Sequence, residues 1–169
     1  MSAAVNPITP EVMAEAKRLF TYDADTGLFI RRVRSGMKGK VGLVAGKADQ
    51  GYVRLRVLGK SFAAHRLAWA WETGAEPSGQ IDHINGDRSD NRVENLRDVD
   101  AKTNQENLRR AKADNALGVL GVRLRPTGRY EARLRVDGKP IQIGTFLSSE
   151  DAHAAYLAAK RRLHGGCTI

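Results

Sequence analysis

The chain has 169 residues, with 28 Lys and Arg against 19 Asp and Glu, for a formal net charge of +9 at pH 7. That length admits one domain or two small ones, and the basic balance favours a polyanionic partner such as nucleic acid. A single cysteine, Cys167, excludes internal disulfides and a Cys-based zinc site. With no apolar run near the length of a membrane span and no signal-peptide core, the chain is expected to be cytoplasmic and without a membrane partner. The charge is unevenly placed: residues 1–107 hold 16 basic and 14 acidic side chains, and residues 108–169 hold 12 and 5. A charge-mixed part joined to a basic part reads as a catalytic unit carrying a nucleic-acid grip.

Taken in order, residues 1–8 read as a loose arm. Thr9 offers a helix cap, Pro10 suits the first helical position, and Val12, Ala16, Leu19 and Phe20 form a stripe, so a helix is expected over residues 10–20. A turn at residues 22–27 leads to a short strand at residues 28–30. Residues 34–51, with five glycines and four basic residues, read as a basic loop containing one short strand. A hairpin follows over residues 52–64, then a helix over residues 65–73 closed by Gly74, with Leu67, Ala68 and Trp71 on one face.

Residues 81–107 carry the chemistry. Asp82 and His83 stand side by side, Asn95 follows 12 residues after the histidine, and Asn104 follows 21 after it. A carboxylate and an amide oxygen suit a hard divalent cation, and an imidazole can take a proton from water near neutral pH. The spacing can be built if Asp82 and His83 end one strand, Asn95-Leu96-Arg97 begins the return strand, and a helix running to about residue 112 carries Asn104. The bland reading is a turn-rich loop whose Asp, Asn and Gly residues only shape the backbone, and it suits Gly86 and Asp87 best.

This stretch resembles the HNH endonucleases of the phage and homing type. The carrying residues are His65-Arg66-Leu67, Asp82-His83-Ile84-Asn85-Gly86-Asp87, Ser89-Asp90-Asn91-Arg92, Glu94-Asn95-Leu96-Arg97 and Asn104. The resemblance implies a ββα-metal hairpin with its core at residues 81–110. In it Asp82 and Asn104 hold one divalent ion (Mg²⁺, Mn²⁺ or another), His83 is the general base, and Asn95 pins the hairpin through backbone groups. It also sets Arg66, with His65, near the phosphate, where packing and catalysis are both open roles. Such sites leave 5′-phosphate and 3′-hydroxyl ends in the family. No structural zinc is expected.

In residues 119–166, three alternating stretches (residues 122–125, 130–136 and 141–146) are separated by turn residues, Asp137-Gly138 among them. Parity puts Val122, Leu124, Ala132, Leu134, Val136, Ile141 and Ile143 on one face, and Arg123, Arg125, Glu131, Arg133, Arg135 and Gln142 on the other. A helix with a Ser148 cap and an Ala-rich stripe follows, and it suits the apolar face. Gly121-Val122-Arg123, Gly144-Thr145-Phe146 and the pattern Glu150, Ala152, Ala155, Tyr156, Ala159 resemble the APETALA-two/ethylene-response-factor DNA-binding domain. That family lays its sheet in the DNA major groove, which implies DNA contacts from Arg123, Arg125, Arg133, Arg135 and Gln142. Arg133 stands where the plant domains usually have Glu, and Thr127 and Gln142 where they have Trp, so the plant target sequence does not carry over.

The sequence therefore predicts an α+β protein: an N-terminal ββα-metal (HNH) nuclease domain at residues 1–112, a linker at 113–118, and a C-terminal domain at 119–169. The latter is a small three-stranded antiparallel sheet packed on one helix. The implied function is divalent-metal-dependent hydrolysis of phosphodiester bonds in double-stranded DNA, with the target read by the C-terminal domain. The alternative is a non-catalytic DNA-binding regulator on an HNH scaffold. A phage-encoded protein acting in a bacterial host fits this reading, and both a monomer and a homodimer on DNA stay open.

Overall fold

The Thr9 hydroxyl accepts a hydrogen bond from the Val12 amide, Pro10 stands at the first helical position, and α1 runs Pro10–Leu19. Such a cap satisfies one of the amides that a helix start leaves orphaned, and proline has no amide to lose there. The structure, a computed structural model, describes residues 6–37, 39–111 and 115–169. Among them are four α-helices and several small sheets of two or three strands, divided between two compact units, Met1–Val99 and Asp100–Ile169.

In the first unit the helix stops one residue short of Phe20. A strand the sequence reading missed, β1 (Phe20–Asp23), starts there and pairs antiparallel with β2 (Leu28–Arg31). Phe20 and Tyr22 turn inward while Thr21 is exposed, the period of a strand hidden behind the stripe of a helix. The turn between these strands lies hard against the loop that carries Asn91 and Arg92. Gly27 has φ +70°, and a Cβ there would sit 2.4 Å from the Arg92 amide nitrogen. The Tyr22 hydroxyl donates to the Asn91 carbonyl at 2.8 Å.

A second sheet has the order β3 (Lys47–Asp49), β4 (Tyr52–Val57), β5 (Lys60–Ala63), with β3 as the one short strand of the basic loop. Helix α2 (Ala64–Thr73) ends at Gly74 in the left-handed conformation. Leu67 and Ala68 of α2 share one core with Val12, Ala16, Phe29, Leu55, Val57 and Phe62. Trp71 packs on that core edge-on to Phe29, with ring centroids 5.8 Å apart. Strands β6 (Gln80–His83) and β7 (Leu96–Val99) pair antiparallel, with Asp82 opposite Arg97, and Ile81 and Leu96 anchor them in the same core.

In the second unit, α3 (Ala101–Glu106) is capped by Asp100 and ends well before the expected residue 112. The chain there is drawn to its own C-terminus. The Thr168 amide donates to the Asn107 side chain at 3.2 Å, and the Gly166 amide donates to Glu106 at 3.0 Å. The segment after Val99, expected with the N-terminal domain, thus makes these bonds with residues 166–168. The expected linker lies partly outside the described residues; within it, Asn115 donates to the Val119 carbonyl at 2.8 Å.

The sheet of this unit has the order β10 (Lys139–Phe146), β9 (Tyr130–Val136), β8 (Val122–Leu124), and α4 (Ser149–Leu163) follows, with the Ser148 side chain accepting from the Asp151 amide. Val122, Ala132 and Leu134 are buried with Ala152, Tyr156 and Ala159. Gly121 permits this approach: its φ is +76°, and a Cβ would lie 2.1 Å from the Tyr156 ring. Two residues expected on the apolar face are instead exposed, Leu124 at 51% and Ile141 at 40%. Leu124 ends a three-residue strand, and Ile141, though paired with buried Leu134, lies on the edge strand β10; a bulge at Gln142/Gly144 breaks simple alternation after it.

Candidate active site

Asp82 and His83 are the last two residues of β6, and both are buried. Register sets Arg97 directly across from Asp82, and its Nε and Nη2 donate to Asp82 Oδ2 at 2.8 and 2.7 Å. Past His83 the chain turns at once, with the Gly86 amide bonded to the His83 carbonyl at 2.9 Å. Asn95, at the far end of this loop, holds it closed. Its Oδ1 accepts from the Asn85 amide at 2.9 Å, its Nδ2 donates to the Asp90 carbonyl at 2.9 Å, and its own carbonyl accepts from the Ile84 amide at 2.8 Å. A bond from a buried amide side chain to the backbone fixes a loop that has no regular ladder of its own.

The His83 ring lies perpendicular to His65, with centroids 5.1 Å apart, and 6.0 Å from Tyr52. Tyr52 is itself 5.4 Å from His65, and the Arg88 guanidinium covers the Tyr52 ring at 4.7 Å. Burial lowers the His83 pKa. The Asn91 side chain opposes this, as do the carboxylates of Asp82, Asp87 and Asp90. Burial also drives His65 down to about 3, with the charges of His83, Arg66 and Arg54 adding to it. A lowered pKa leaves His83 neutral near neutral pH, the form that can accept a proton.

The remaining candidates are placed as follows. Arg66 turns to Glu76, which also accepts from the Ile8 amide, and donates to the Asn6 carbonyl at 3.1 Å. Its guanidinium is therefore engaged in tying the N-terminal segment to the end of α2. Asn104 lies on α3 in the second unit, its amide bonded to the Asp100 carbonyl at 3.1 Å. Tyr52, Arg88 and the pairing of Arg97 with Asp82 escaped the sequence reading. Arg97 carried a signal, since opposite charges facing each other across a hairpin stabilise it. Tyr52 carried none, because its approach to His83 depends on how two separate sheets pack.

The polar face of the second unit is not a row of free arginines. Glu131 is 2% exposed. Its Oε2 lies 2.7 Å from Arg123 Nε and 3.5 Å from Arg125 Nε, and its Oε1 lies 3.8 Å from Arg133 Nε. Arg135 is exposed and has no ion pair among the described residues. Gln142 Nε2 donates to Thr145 Oγ1 at 3.5 Å, so the bulge brings Thr145 onto the same face.

Among the described residues no three His, Cys, Asp or Glu side chains gather as a metal cluster, and no helix is long and apolar enough to cross a membrane. Residues 62–109 match a family model described as HNH endonuclease. The match covers His65, Asp82, His83, Asn95 and Asn104, carries an association with nuclease action on DNA, and stops at residue 109. No curated protein and no solved structure matches the chain.

Proposed function

We propose that the chain is a divalent-metal-dependent DNA endonuclease of the phage or homing HNH type, acting on double-stranded DNA in a bacterial cytoplasm. One observation carries the reading. In the stretch matching the HNH model, a histidine kept neutral by burial stands beside a buried carboxylate, on a loop clamped by an asparagine. His83 accepts the proton of the attacking water. Asn95 holds the loop so that the imidazole keeps its aim, and Arg97 fixes the Asp82 carboxylate through Oδ2. Mg²⁺ is commonly bound by only one or two carboxylates together with waters and substrate phosphate. A single carboxylate at Asp82 fits that demand, Mn²⁺ suits the same oxygen ligand, and the HNH resemblance alone names Asn104 as a second. When bound, such an ion neutralises charge developing on the scissile phosphate and the leaving 3′ oxygen.

The second unit serves as the reader on this account. It is the more basic part of the chain, and Arg123, Arg125, Arg133, Arg135 and Gln142 share the sheet face opposite α4. The resemblance to the APETALA-two/ethylene-response-factor domain supplies the docking mode, sheet in major groove. The decisive experiment incubates the protein with supercoiled plasmid and with phage DNA, with Mg²⁺ or with chelator, and maps the ends. Mg²⁺-dependent cuts with 5′-phosphate and 3′-hydroxyl ends are expected. Binding of duplex DNA without any cut would leave the non-catalytic DNA-binding regulator instead.

A further inference from the structure

The arginine face contains a residue whose charge is wrong for DNA. Glu131 lies one residue into the central strand β9, directly opposite Arg123 on β8 and Thr145 on β10. It brings a negative charge to the surface meant to meet phosphates, yet it is buried under three guanidiniums. In each of them the nitrogen nearest the carboxylate is Nε. Among the described residues their Nη groups make no hydrogen bond, and the side chains remain 53%, 38% and 41% exposed. Arg123 is thus hydrogen-bonded through Nε, Arg125 and Arg133 are drawn over the same carboxylate as longer ion pairs, and all three are open at the outer edge.

We infer that Glu131 is a positioning residue that fixes Arg123, Arg125 and Arg133 as one preorganised fan for reading base edges of duplex DNA. The inference rests on the reading of this sheet as the DNA-facing surface. The physical case has two parts. Three like charges on neighbouring strands repel and would splay apart, and a carboxylate beneath them offsets one charge, hydrogen-bonds Arg123 and draws the other two toward it. A free arginine must lose rotamer freedom on binding, whereas an anchored one has lost it already. Guanine is read by two parallel N–H bonds to O6 and N7, which demand a guanidinium held in a set orientation. A phosphate contact needs only the charge. Anchoring therefore serves sequence discrimination and does nothing for bulk affinity, and Arg135, without such an anchor, is left to phosphates.

Charge alone and positioning make opposite forecasts for Glu131→Gln in the full chain. Removing the carboxylate raises the net charge by one, so affinity for a random-sequence duplex of about 20 base pairs should rise and the salt slope should steepen by about one. Positioning adds that selectivity falls. With a random duplex library as probe, the wild type should enrich a preferred sequence. Glu131→Gln should lower the ratio of preferred to random affinity by about tenfold or more, while binding the random duplex at least as tightly. Should Glu131→Gln fail to melt cooperatively, Glu131→Asp carries the test. It keeps the charge and all three guanidiniums but draws the carboxylate back from Arg123 Nε, and it should lose the same discrimination at an unchanged salt slope. Retention of the wild-type preference by the folded variant, or a wild type with no preference, overturns the inference and leaves the DNA-facing sheet standing. If Arg123→Ala, Arg125→Ala and Arg133→Ala together change neither affinity nor salt slope, the sheet does not face DNA and both ideas fall.

Discussion

His65 shows what a single buried side chain asks of the first unit. It is folded in with a pKa near 3, whereas the unfolded chain holds it at its ordinary value of about 6.5. Between those values the unfolded state binds a proton that the folded state refuses, so stability falls as pH drops from about 6.5 toward 3 and is unaffected above that window. The loss is at most about 1.4 kcal/mol per pH unit. Thermal melts from pH 7 to 4 should show it, and His65→Gln should flatten the acid slope. An identical slope in that variant would assign acid sensitivity to the carboxylates. Asn95→Ala should cost about 1–3 kcal/mol by leaving the Asn85 amide and Asp90 carbonyl without their partners, read as a lower melting temperature. At this scale the sequence was informative where chemistry is rare: an Asp-His pair with asparagines at set spacings has few uses. It was silent where function depends on register or on packing between sheets, as for Tyr52 beside His83 and for Glu131 beneath its arginines.

Helices with local signals were legible. Thr9-Pro10 opened α1, Gly74 closed α2, and Ser148 capped α4, because each signal and the bond it makes lie within a few residues. The exceptions turn on pairing and contacts between elements. Strand β1 exists because β2 pairs with it and the core takes Phe20 and Tyr22. Helix α3 stops because residues 166 and 168 bond to Glu106 and Asn107. The bulge in β10 defeated parity beyond Gln142, so Thr145 joins the polar face opposite Glu131. A test at this scale uses Gly121, which combines a left-handed φ with a ring where a Cβ would go. Gly121→Ala should destabilise the second unit by several kcal/mol, well beyond the usual cost of alanine at a strained glycine. Urea melts would check this, and a variant as stable as the parent would mean that Tyr156 does not pack there.

The whole chain carries an imbalance of charge that its two units divide, and the boundary between them decides which fragments should be sound. Cutting after residue 114 removes the Leu108 carbonyl to which the buried Lys160 donates, and with it the partners of Gly166 and Thr168. A fragment of residues 100–169 should therefore melt at a higher temperature than one of residues 115–169. Equal melting would show that the 100–111 segment contributes nothing to that unit. The central claim, that His83 works as the base of a DNA-cutting site, has a more direct test. Supercoiled plasmid is incubated with wild type and with His83→Ala in Mg²⁺, and cleavage rates are compared beside duplex affinity. The account predicts a loss in rate of about a hundredfold or more with affinity nearly unchanged. Cleavage by His83→Ala at the wild-type rate would contradict it.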